Sequence, residues 1–204
     1  MGNIIFTVFI VILYIYAFFY LFSVILKNSA QKKLNDALVR RDEKLFAERS
    51  KKLGARLLGK SGIEDIKLNY YMTNFNHVGI ESTIKEINSM KLSKREIKSL
   101  YPVIFYYYVQ RNKIDDAKKY YEPLKDLKYS NKKLVDGIYN AFIDGKADLL
   151  EQTTKLLKKA SKEDLPIIES VISKMYENLN DNPNAKRYRR LSEKHQKELD
   201  IKKR

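Results

Sequence analysis

Residues 54–62 read GARLLGKSG and place Gly54, Gly59, Lys60 and Ser61 at the spacing G-x-x-x-x-G-K-[ST]. Residues of those types at that spacing can hold a nucleotide: backbone N–H groups wrap the phosphates, the lysine reaches them and the hydroxyl binds Mg²⁺. That chemistry needs a buried strand before the first glycine and a helix after the last. What precedes Gly54 is EKLFAERSKKL, charged and helically spaced, and the intervening ARLL favours helix over an open glycine-rich turn. No apolar strand ending in an aspartate suited to Mg²⁺ accompanies it. A junction between two helices explains the same residues. Gly59 would end one helix in the left-handed conformation, and Ser61 with Glu64 would open the next as an S-x-x-E capping box. Ser93 with Glu96 and Ser161 with Asp164 repeat the device. A nucleotide site here is the remote alternative.

Other chemistry is sparse. The chain of 204 residues has no cysteine, so thiolate ligands and cysteine nucleophiles are excluded. His77 and His195 have no partner at metal-ligand spacing, and no paired carboxylates or serine–histidine set stand out. The expectation is a non-enzyme with no cofactor and no metal.

The positioning elements begin with Ile4–Leu26, IIFTVFIVILYIYAFFYLFSVIL, 23 positions without a charge. At 1.5 Å per residue they cross a bilayer core. The preceding MGN lacks a basic n-region, the apolar run is long for a signal peptide, and no small-x-small cleavage site follows, so a retained transmembrane helix is expected. No basic residue precedes it, whereas Lys27, Lys32, Lys33, Arg40 and Arg41 follow. Basic flanks stay in the cytoplasm, which puts residues 1–3 outside and the remainder of the chain inside. Tyr14 and Tyr16 fall near mid-membrane, where they would contact lipid or a partner helix.

The chain carries 40 Lys+Arg against 25 Asp+Glu, a net charge of +15. Residues 27–60 hold 11 basic and 4 acidic residues, nearly half of the excess. Beside a transmembrane span such a segment attracts anionic lipid, so Lys27, Lys32, Lys33, Arg40 and Arg41 are the expected membrane-surface contacts. A second basic cluster, KRYRR at 186–190 with the tail 200–204, is compatible with RNA or ribosome tethering, though no RNA-binding signature accompanies it.

From Lys27 onward apolar residues recur at three- and four-residue spacing, predicting an all-α chain. Ile114, Ala117, Tyr121, Leu124 and Leu127 share one helical face; Leu165, Ile168, Ile172, Tyr176 and Leu179 share another. Gly79, Asn112, Gly145 and the NLNDNPN stretch are turn signals, while Pro102 and Pro123 should kink helices or mark their ends. AKKY at 117–120 returns as AKRY at 185–188, twice 34 residues later, so a helical pair recurs every 33 to 36 residues. Four hairpins are expected, at 63–91, 93–127, 130–160 and 162–199, within a region spanning 61–199. A basic helical segment, 29–58, joins them to the membrane.

The stretch YPVIFYYYVQRNKIDDAKKYYEPL, residues 101–124, resembles a tetratricopeptide repeat. Tyr101, Ile104, Tyr108, Ile114, Ala117 and Tyr121 follow that family's order of residue types, with Asn112 at the place of its turn glycine. Phe105, Leu124 and Tyr129 depart from the pattern, standing where a small residue, an alanine and a closing proline are usual. The resemblance implies an α-solenoid whose concave groove binds a protein segment. It would place Met72, Phe75, Tyr106, Val109, Gln110, Tyr139, Phe142, Lys174 and Asn178 on that groove. The implied role is a membrane-anchored adaptor with protein partners at the cytoplasmic face, acting alone or as a subunit of a membrane complex.

Overall fold

The computed structural model describes residues 2–202; Met1, from the expected outer segment, and Lys203 and Arg204, from the expected tail, lie outside the described residues. Helix is the only regular structure among those described residues, without a strand, and they form two compact units, Met1–Ser93 and Lys94–Arg204. The helices expected at 63–91 fall in the first unit, together with those that precede them.

In the first unit α1 runs unbroken over Gly2–Val39, 38 residues or about 57 Å of helix. It is long and apolar enough to cross a membrane. The expected change of element after Leu26 does not occur. KNSAQKKLNDALV has neither proline nor glycine, and Ala30, Leu34, Ala37 and Leu38 continue one apolar face. Leu34 and Ala37 are fully buried against Phe46 of α2 (Glu43–Ser50) and Ala55 and Ile66 of α3 (Leu53–Thr73). α4 (His77–Asn88) then folds back on α3.

Gly59 interrupts α3 with φ 75° and ψ 172°. Positive φ at that ψ is a region open essentially to glycine alone, so the helix kinks where the GKS pattern stands. Helix, not strand, precedes it. Gly79, read from sequence as a turn residue, lies instead in the first turn of α4. Asn76 Oδ1 accepts from its N–H at 3.0 Å, and a Cβ there would meet the Tyr71 ring at 2.5 Å. Its small size serves packing, and the turn itself falls on Asn74–Asn76.

The second unit is built from α5 (Lys94–Gln110), α6 (Ile114–Tyr121), α7 (Lys132–Ile138) continued by a π-turn at Tyr139–Ile143, α8 (Leu150–Leu156), α9 (Leu165–Asn178) and α10 (Asn182–Lys202). Phe105, which departs from the repeat pattern, is fully buried and sets the spacing between helices with a column of rings. Its centroid lies 5.7 Å from Tyr121 and 6.4 Å from Tyr139, and Tyr121 stacks on Tyr139 at 3.9 Å. Ring pairs of this kind add about 0.5–1.5 kcal/mol each beyond their burial. Where α7 meets α8, Gly137 provides the close approach: a Cβ would lie 2.7 Å from Thr153 Oγ1. Pro102 lies inside α5, and Pro123 follows the end of α6.

Four turns share one device. Arg41, Phe75, Asn112 and Asn180 all have φ between 52° and 60°. The next N–H reaches back five residues: Asp42 to Ala37 O, Asn76 to Tyr71 O, Lys113 to Tyr108 O and Asp181 to Tyr176 O, at 2.9–3.0 Å. This is the Schellman closure, which satisfies carbonyls orphaned at a helix end. Asparagine tolerates the left-handed position; arginine and phenylalanine are unusual there.

Replacing Gly59 by alanine should destabilise the full-length protein in detergent by about 1–3 kcal/mol, since no other residue takes its backbone angles without strain. Thermal unfolding followed by circular dichroism checks this, and an unchanged melting temperature would show that the kink does not need glycine.

Candidate functional site

The α1–α2 turn and the α3–α4 turn meet at one end of the first unit around a cleft of about 510 Å³. Its floor is apolar: Leu38 from α1, Phe46 from α2, and Tyr70 and Tyr71 from α3. Polar groups rim it. The Asp42 carboxylate accepts from Leu45 N–H at 2.8 Å and caps α2, while Asn74 Nδ2 donates to Tyr70 O at 2.8 Å. Lys67 donates to the buried Glu64 carboxylate at 2.8 Å, with its ammonium 5.7 Å from the Phe46 ring centroid. The geometry offers an aromatic floor with fixed polar groups at its edge, suited to holding part of another molecule.

The two bulky residues forced into the left-handed region belong to these two turns. Arg41 lines the cleft, and Phe75 sits between Asn74 and Asn76, which also line it. Phe75 is 78% exposed, and Val78, three residues on, is 82% exposed. A left-handed conformation costs about 1–2 kcal/mol for an ordinary L-residue, and neither side chain recovers that by burial.

The residues expected on a groove are divided between the units. Met72 and Phe75 lie in the first, at the cleft end of α3; the other seven lie in the second. There Val109 is only 8% exposed and belongs to the core. Burial pushes the Tyr106 phenol up, offset in part by its hydrogen bond with Gln110, which is exposed. Tyr139 is half-buried in the ring column, and Phe142 is half-buried in the π-turn. Lys174 pairs with Glu177 at 3.3 Å. Asn178 Nδ2 donates to Ala141 O at 2.8 Å and Lys146 O at 3.0 Å, which binds α9 to the π-turn and commits its donors internally.

Among the residues expected at the membrane surface, Lys27 follows Leu26 directly, and Lys32 and Lys33 lie about 10 Å past Leu26 along the helix axis. Because α1 continues to Val39, Arg40 and Arg41 lie about 20 Å past Leu26, more than two Debye lengths at physiological salt. Arg40 is paired with Asp36 at 3.0 Å.

Sequence spacing read Arg41 as a membrane-surface contact and not as a cleft residue, and it did not single out Phe46, Lys67 or Tyr70 as site residues, nor the contact of His195 Nδ1 with the buried Glu169 carboxylate at 2.8 Å. The one local signal was TNFNHVG, where two asparagines flank the phenylalanine that takes the turn position. No protein-family model, curated protein or solved structure matches this chain.

Burial opposes ionisation of Glu177, but hydrogen bonds from Arg189 and Lys174 outweigh it and hold the carboxyl below its ordinary value. The lowered value means that Glu177 contributes stability above the ordinary carboxylate range and loses it as pH falls through the folded-state pKa. Glu177→Gln should therefore flatten the acid limb of melting temperature against pH. An acid limb identical to that of the wild type would remove Glu177 from the account.

Proposed function

We propose that this chain is a membrane-anchored interaction protein, held by α1 and offering the cleft end of its first unit to a segment of another protein. The observation that carries the reading is the pairing of a cleft with two bulky left-handed residues, Arg41 and Phe75, beside an exposed Val78. Strain of this kind persists where the surroundings over-determine it, and it concentrates at binding and switch sites. An exposed aromatic anchor beside a pocket is also the usual core of a protein-binding surface.

The basic residues after Leu26 and their absence before it favour a cytoplasmic position for the helical units, by the positive-inside rule. The helical pairs within the second unit support a tetratricopeptide-like reading of it, in which Tyr106, Tyr139 and Phe142 provide aromatic contacts; in the first unit Met72 and Phe75 belong to the binding surface. The role is that of an adaptor or a subunit of a membrane complex. No nucleotide is assigned to the GKS pattern, whose residues are taken up by a helix, its kink and the helix that follows.

Phe75→Asn tests the reading in two directions at once. Asparagine accepts the left-handed position, so the variant should gain about 1 kcal/mol of stability while losing the exposed ring. The measurement is purification of tagged full-length protein from its native membranes, with and without nuclease, alongside thermal unfolding of both forms. A defined protein partner that survives nuclease and is lost with Phe75→Asn is the expected result. A partner retained by Phe75→Asn would move the site elsewhere, and ribosomal proteins lost on nuclease treatment would make the basic surface the binding element.

A further inference from the structure

The end of the first unit opposite the cleft carries a second unexplained surface. Gly54, in the first turn of α3, lies against the last turn of the apolar stretch of α1. A Cβ there would fall 2.7 Å from Leu26 O and 3.0 Å from Ala30 Cβ. The start of α3 is thus locked level with the end of the apolar run. Gly54 and Ala55 face inward and are buried, and Leu58 is half-buried. Leu53 and Leu57, one turn apart on the other face, remain 63% and 38% exposed. Arg56 lies beside Leu53 and Leu57 on that helix and is exposed, and Lys60, just past the Gly59 kink, is exposed too.

Charge supports the same surface. From Arg49 through Gly62 there are five basic residues and no acidic one. A depression of about 380 Å³ opens here, with Leu26, Ala30 and Leu53 on its apolar side and Lys33, Arg49 and Lys52 on its basic side. Arg49 pairs with Asp36 at 2.9 Å and Lys52 with Glu48 at 2.9 Å. Gly59 then bends the helix away immediately after this segment.

We propose that residues 53–60 form an interfacial membrane contact: Leu53 and Leu57 enter the outer acyl region of an anionic bilayer, while Lys33, Lys52, Arg56 and Lys60 meet lipid phosphates. The proposal rests on α1 spanning that bilayer. The occupant is a phospholipid surface because the patch is continuous with the apolar helix and carries the opposite charge to an anionic leaflet. A basic helical face with leucines at its centre binds such an interface through apolar burial and electrostatic attraction together, the long basic side chains reaching the headgroups while their stems cover apolar surface. This contact holds the first unit against the membrane at a second point and points its cleft end away from the lipid.

The absence of cysteine permits a direct test. Single variants Leu53→Cys, Leu57→Cys, Val78→Cys and Ile12→Cys of the full-length protein are labelled with an environment-sensitive fluorophore. They are reconstituted into vesicles of phosphatidylcholine with or without phosphatidylglycerol, containing spin labels on the acyl chains. The expected result is quenching at positions 12, 53 and 57 but not at 78, with quenching at 53 and 57 lost in phosphatidylcholine alone. The combined variant K33Q/K52Q/R56Q/K60Q should lose it in anionic vesicles too. Quenching at 12 with none at 53 or 57 overturns the interfacial contact and leaves the span standing. No quenching at 12 overturns the span and this proposal together, and equal quenching at 53 and 57 in both lipids overturns the role of the basic residues.

Discussion

The packing of α3 against α1 through Gly54 is the constraint on which the first unit depends. The missing side chain lets the start of α3 touch the backbone at Leu26, and Leu34 and Ala37 are then completely buried against α2 and α3. An ordinary residue at Gly54 would meet backbone, which cannot give way as a flexible side chain can. Because α1 is continuous, this contact ties the orientation of the unit to that of the apolar helix without a flexible linker.

The second unit solves its packing differently. Large rings take the places where small residues would let helices approach, and they pack on one another: Phe105 is tilted against Tyr121 and stacked on Tyr139, and Tyr120 meets Tyr101 edge-to-face at 5.1 Å and stacks on Tyr108 at 5.6 Å. Burial raises the Tyr121 phenol, and the Asp136 carboxylate that accepts its hydrogen bond at 3.1 Å raises it further, so the hydroxyl stays protonated as donor. Tyrosine suits this role because its ring packs while its hydroxyl finds a polar partner. The abundance of tyrosine, 15 residues in the chain, is therefore partly an architectural matter and not solely one of surface recognition.

Turn chemistry separates the ordinary ends of helices from the unusual ones. Asn112 and Asn180 occupy left-handed positions at little cost, whereas Arg41 and Phe75 occupy the same position in the same motif with side chains that gain nothing visible from the fold. Four instances of one closure, two with suitable residues and two without, give an internal comparison within a single chain. The unsuited pair lie at one cleft: Arg41 lines it, and Phe75 sits between Asn74 and Asn76, which line it too. That coincidence makes the cleft end a better candidate for recognition than the ring column, whose aromatic residues already have partners.

What the sequence determined by itself was local. Helical class followed from three- and four-residue spacing, and the apolar helix from an uncharged run. The junction at Gly59, the left-handed turns at Asn112 and Gly145 and the Ser161–Asp164 cap, with its 2.7 and 3.2 Å hydrogen bonds, each depend on neighbours within a few residues. Tertiary structure decided what depends on distant partners. It carried α1 past Leu26 because residues far ahead in the chain cover its inner face, and it placed Gly79 under a tyrosine ring. It buried Val109 and bound Asn178 to carbonyls 37 and 32 residues away. It also brought Arg41 and Phe75 to one cleft. Periodicity marks which side of a helix is apolar, but only the partner that arrives against that side decides whether a residue becomes core, clamp or exposed surface.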